Sequence, residues 1–189
     1  MRIQLGQFTL SPDDLYESVE RLSVYALLDA AGAPAVVARL DDPALNSAAL
    51  YESRRQPNLR DTAPHLVRLD VELLAWMEAT LWLDPWGILI ETDVELRLLR
   101  KHLRRFLLVE KSDGRIVYFR YYDPRVLNTF LPTCRTTELT DFFGPVQAFI
   151  ARRASADEFT RFALVPAPPP TGRYTRLRTP PRPRPEVPR

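Results

Sequence analysis

Apolar runs and amphipathic stretches alternate along most of this chain, and their order predicts the elements. Val24-Tyr25-Ala26-Leu27-Leu28 is continuously apolar, as a strand covered on both faces would be. His65-Leu66-Val67-Arg68-Leu69 and Trp86-Gly87-Ile88-Leu89-Ile90 read as two further buried strands. Between them, residues 71–83 place Leu73, Leu74, Met77 and Leu81 near one stripe of a helix. Ser11-Pro12-Asp13-Asp14 starts a short helix to about residue 20: a capping hydroxyl, a proline suited to the first turn, and two acids at the positive end of the dipole.

The intervening segments carry weaker patterns. Ala31-Gly32-Ala33-Pro34 turns the chain, and residues 35–38 are expected to pair back as a hairpin. Asp42-Pro43 opens a helix through about residue 53, and the polar stretch 54–64 reads as a loop. Thr92 and Glu95 have the spacing of a capping box, with a helix to about residue 105 that turns Leu96, Leu99 and Leu103 inward. Asp113-Gly114 between apolar runs 106–110 and 115–121 signals a hairpin. Asp123-Pro124 opens another helix, Phe142-Phe143-Gly144-Pro145 turns, and residues 147–153 and 158–165 form a final hairpin. The class expected is mixed α+β: a single domain with a mixed sheet, flanking helices and C-terminal hairpins.

Composition changes at residue 166. Nine of the 18 prolines lie in 166–189, together with six arginines and one acid, whereas residues 1–165 hold 20 Lys+Arg against 23 Asp+Glu. The body is thus slightly acidic at −3, and the basic charge belongs to a Pro/Arg-rich tail expected to be extended and disordered. The organisation expected is an N-terminal extension with a short helix over 1–21, an α/β domain over 22–165 and the tail over 166–189. A single cysteine, Cys134, fits a reducing compartment; the first residues lack an apolar leader core, and no run approaches the ~20 apolar residues that span a bilayer. A cytoplasmic protein is expected.

Candidate chemistry is sparse. Cys134 has no local base signature; the two histidines, His65 and His102, are distant in sequence. No Cys/His/acid cluster has metal-ligand spacing, and none of the six glycines forms a phosphate-cradling loop. Neither a metal nor a cofactor is expected. Scattered carboxylates such as Asp29, Asp70 and Asp123 leave a hydrolase as an alternative. Arg97, Arg100, Lys101, Arg104 and Arg105 form the densest basic patch, read as a solvated helix face or a contact for an acidic protein. Weak nucleic-acid binding through the tail is a further alternative. Trp76, Trp82 and Trp86 read mainly as core, with exposure converting them into interface anchors. Arg120, Asp123 and Arg125 read as a helix cap with an ion-pair network, or as a partner-binding cluster.

The ordered motifs carry a resemblance. Tyr25-Ala26-Leu27-Leu28-Asp29-Ala30, Ala63-Pro64-His65-Leu66-Val67, Trp86-Gly87-Ile88, Leu99-Arg100-Lys101-His102-Leu103-Arg104, Phe119-Arg120-Tyr121-Tyr122-Asp123-Pro124-Arg125-Val126-Leu127 and Phe142-Phe143-Gly144-Pro145-Val146 follow one another over about residues 22–165. In this the chain resembles the type VI secretion effector-chaperone family, long catalogued as a domain of unknown function. The resemblance implies a non-enzymatic cytoplasmic adaptor, without cofactor, that binds a cognate toxic effector and helps load it on the VgrG–PAAR spike. It implies neither nucleic acid nor stable membrane insertion. Trp86, Arg120, Asp123, Arg125 and Phe143 are the motif residues it marks, as partner contacts or as supports of the fold. Longer relatives carry a further C-terminal lobe where this chain has only the tail.

Overall fold

The computed structural model describes residues 2–168 except 32, 34, 52–60, 83, 112 and 154–156. Its elements are β1 (Ile3–Leu10), α1 (Pro12–Arg21), β2 (Val24–Asp29), α2 (Ala35–Leu40), β3 (Ser47–Ala49), β4 (Pro64–Arg68), α3 (Val71–Leu81), β5 (Gly87–Thr92), α4 (Leu96–Leu103), β6 (Leu108–Glu110), β7 (Ile116–Tyr118), α5 (Pro124–Phe130), α6 (Thr136–Phe143), β8 (Val146–Arg152) and β9 (Phe159–Pro166). Seven strands form one sheet in the order β1-β9-β8-β5-β2-β4-β3; β6 and β7 form a separate ribbon. The α+β class is the expected one. Every described pairing is antiparallel, where a sheet of mixed direction was expected.

The continuous apolar runs are explained by two cores, one on each face. Tyr25 and Leu27 of β2, Ile88 and Ile90 of β5, and Phe149 of β8 face a core closed by α4, α5 and α6. The alternate residues Val24, Ala26, Leu28, Leu89 and Ile150 face a second core closed by α1, α2 and α3. Successive strand side chains point to opposite faces, so a strand sandwiched between helices must be apolar at every position. Gly87 opens β5 at φ +141°, and a Cβ there would stand 2.0 Å from the Leu27 carbonyl oxygen, so the approach of β2 requires glycine.

Several local expectations change. Residues 2–21 contain the expected helix, capped by Ser11 and Asp14, but Ile3–Leu10 also form a full edge strand on β9. Residues 35–38 begin α2 instead of a hairpin, because Val36 and Leu40, one helical turn apart, both drop into the core. The helix expected from residue 42 is not formed by the described residues 42–51. The Asp42 carboxylate accepts from the Ala44 N–H (2.9 Å) and from Arg39 (2.7 Å), holding a turn, and β3 follows. Residues 52–60 of the expected helix end and loop, and 169–189 of the tail, lie outside the described residues.

The capping box at Thr92 does not form either. Thr92 stays in β5 and donates its hydroxyl to the Pro145 carbonyl (2.8 Å), while Glu95 takes the cap position of α4 without a side-chain cap bond. The segment after Asp123 holds two helices, α5 and α6, joined by a single 3-10 turn.

Candidate functional site

The most distinctive polar cluster lies where β2 ends and β7 passes into α5. Asp29, the last residue of β2, is 1% exposed, and its carboxylate is paired with the Arg120 guanidinium. The other carboxylate oxygen of Asp29 is buried and has no hydrogen-bond partner among the described residues. Arg120 lies over the Tyr122 ring (5.8 Å) and remains about half exposed. Burial, then the charges of Asp29 and the neighbouring Tyr51, push the Tyr122 hydroxyl up to about 12, so it stays protonated at neutral pH.

Asp123 is the cap of α5. Its Oδ1 accepts from the Arg125 N–H (2.9 Å) and Nε (2.9 Å), and its Oδ2 accepts from Nη2 (2.6 Å). Burial works to raise the Asp123 pKa, but these bonds and the Arg125 and Arg120 charges outweigh it and hold the carboxyl below its usual range. A carboxylate stabilised in its ionised form is suited to a structural anchor, not to donating a proton. Of the other carboxylate weighed for hydrolysis, Asp70 caps α3 through the Leu73 N–H (2.7 Å).

The remaining sequence candidates separate. Trp86 (1% exposed) and Phe143 (1%) sit in opposite cores, so neither presents a surface to a partner in this conformation. Trp76 and Trp82 are partly buried against the α1–α3 core. Cys134 is half-buried, with its thiol pKa raised by burial and by Glu138, which disfavours the nucleophilic thiolate. His102 is buried with Nε2 2.8 Å from the Phe142 carbonyl oxygen. The carbonyl only accepts, so Nε2 carries the proton. Arg100 fastens α4 to β3 by donating to the Ala49 carbonyl (2.6 Å), while Arg97, Lys101, Arg104 and Arg105 remain exposed. Among the described residues no group of three or more His, Cys, Asp or Glu is placed to hold a metal ion. No described helix is long and apolar enough to cross a membrane.

Beside the Asp29–Arg120 pair stands the β6–β7 ribbon. Leu108 pairs with Tyr118 and Glu110 with Ile116, which puts Leu108, Ile116 and Tyr118 on one face together with Glu110. These three are 53%, 70% and 67% exposed. The Tyr118 ring lies 6.0 Å from that of Tyr51, which links the ribbon to the cluster below it. The Asp-Gly signal located the hairpin, but not that its apolar residues point to solvent, since burial depends on elements far away in sequence.

Residues 24–141 match a family model described as Domain of unknown function (DUF4123). The chain belongs to this family. The DUF4123 match starts at the first residue of β2 and contains the Asp29–Arg120 pair, the ribbon and His102; β1, β8 and β9 lie outside it. The chain finds no match among curated proteins and none among solved structures.

Proposed function

We propose that this protein is an adaptor that binds a cognate type VI secretion effector and assists its loading on the VgrG–PAAR spike. The resemblance of the ordered motifs to the effector chaperones supports the partner. The observation that carries a binding role is the solvent-facing apolar strip of Leu108, Ile116 and Tyr118. An isolated two-stranded ribbon is marginal in water, and large exposed apolar side chains grouped on one face are characteristic of protein-contact surfaces. The described ribbon also has two outer edges without strand partners, onto which an extended segment of an effector can add. Such cover shields apolar effector segments from aggregation and stabilises the complex by mass action.

The test is co-expression with the product of each adjacent gene, followed by purification through a tag on the effector candidate. A 1:1 complex is expected, with recovery reduced about tenfold by the double substitution Ile116→Asp, Tyr118→Asp at unchanged melting temperature. A native chain that captures none of the neighbouring products overturns the proposal.

A further inference from the structure

A cleft of about 720 Å³ opens between α5 and the strands β8, β9 and β1. Among the described residues its lining includes Arg125, Arg152, Arg153 and one carboxylate, Asp84, and the carboxylates paired with the arginines stand behind them. Antiparallel register sets Thr9 opposite Thr160, so the floor carries two hydroxyls side by side. Arg125 and Arg153 beside this shallow polar floor make a basic rim on a body whose net charge over residues 1–165 is −3, from 20 Lys+Arg and 23 Asp+Glu.

The arginines are held but not fully used. Asp123 grips Arg125 through Nε and Nη2 alone, which leaves Nη1 free of that carboxylate and the side chain 65% exposed. Arg152 lines the cleft by its backbone, for its side chain, like its register partner Phe159, turns to the other face of the sheet, over the Trp82 ring (5.9 Å) and 3.9 Å from Asp157. Asp157 Oδ1 already accepts from the Trp82 indole N–H. Arg153 is half exposed and meets Glu158 at 3.3 Å, a surface pair worth little in water. The preorganised Arg125 guanidinium and the loosely compensated Arg153 form a receptor for carboxylates, which arginine binds through paired N–H groups.

We infer that this cleft binds a short extended acidic segment, with two or more Asp or Glu side chains, of a protein partner. An extended strand matches a floor three strands wide, about 10 Å across, beside the edge strand β1. A nucleic-acid backbone is disfavoured, because a long polyanion would overlap the acidic body beyond the cleft. The inference stands independently of the ribbon and of the effector reading, and its test uses no effector.

The experiment titrates the full chain against a fluorescein-labelled hexaglutamate peptide at low salt and reads anisotropy. Saturable binding is expected, weakened at least fivefold by Arg153→Glu and likewise by Thr160→Glu, each with an unchanged melting temperature. The double substitution Lys101→Ala, Arg104→Ala on the α4 patch is expected to leave it within twofold. Absence of saturation, loss that follows the α4 patch instead of the cleft, or tighter binding of a single-stranded oligonucleotide at the same site would overturn the inference.

Discussion

Arg120 pairs with Asp29, 91 residues earlier in the chain, rather than with Asp123 three residues on. The corner therefore holds two separate ion pairs back to back. Asp29–Arg120 ties the end of β2 to the chain entering α5, and Asp123–Arg125 closes the first turn of that helix. Each pair joins a buried carboxylate to a partly exposed arginine, so losing the arginine strands a charge inside the protein.

Arg120→Ala leaves Asp29 buried without its cation and is expected to destabilise the domain by about 1–3 kcal/mol. Denaturant unfolding measures it. Arg120→Ala combined with Asp29→Asn is expected to recover part of the loss, because the second change removes the stranded charge. Equal stability of Arg120→Ala and the native chain, with partner binding lost, would reassign Arg120 to the interface.

Asp123 offers a pH test with a definite sign. Its pKa is held below the ordinary value near 3.9, so its ionised form contributes stability that is complete above about pH 4 and is lost as pH falls through the folded-state pKa. Asp123→Asn keeps a capping side chain but removes the charge. It is expected to cost about 0.5–1 kcal/mol at pH 7, since Arg125 is largely exposed, with the difference from the native chain vanishing towards pH 2. A constant difference across that range would show that the ion pair contributes nothing.

The corner and the strands were legible to different degrees. Continuous apolar runs at Val24–Leu28 and around Ile88 marked strands with two covered faces, and Ser11 and Asp123-Pro124 marked their helices, because a cap is chemistry between neighbours in sequence. β1 was missed because Ile3, Leu5 and Leu10 alternate only loosely, and the strand is fixed by backbone pairing to β9 at the other end of the chain. Thr92 had the right spacing for a capping box, yet its hydroxyl found a better partner in Pro145, which only the fold brings near. The same limit hid the pairing of Asp29 with Arg120: the sequence showed both residues but nothing of their distance.

His102 and Gly144 make a second pH-sensitive contact. Burial lowers the His102 pKa against a smaller opposing contribution from the Phe142 carbonyl, so the neutral ring is the folded form. Stability is full above the unfolded value near 6.5 and declines as pH falls below it towards the folded-state pKa. Thermal melting is expected to decline between pH 7.5 and 5, and His102→Gln to flatten that decline. An unaltered slope in the variant would remove His102 as its origin.

Gly144 sits at φ +49°, and a Cβ there would lie 2.3 Å from the His102 ring. Gly144→Ala therefore combines backbone strain with overpacking and is expected to cost about 1–3 kcal/mol by chemical denaturation. If it melts like the native chain, the close packing of this turn on the ring is not what holds α6 against α4.

The ribbon predicts the opposite behaviour. Ile116→Ser and Tyr118→Ser remove exposed side chains, so each is expected to change stability by less than about 0.5 kcal/mol. Binding of an environment-sensitive apolar dye should fall in proportion. A large loss of stability would show that these side chains support the fold instead of awaiting a partner.

The pairing of β1 with β9 has a consequence for synthesis. Ile3 faces Pro166, and the Ala167 N–H reaches the Arg2 carbonyl at 2.9 Å. β1 thus leaves the ribosome about 150 residues ahead of its partner β9 and must wait unpaired while β2 to β8 are translated. Loop closure over such a span is slow, so a nascent chain stalled before residue 159 is expected to expose β1 to proteolysis, and this edge of the sheet becomes resistant only once β9 has emerged.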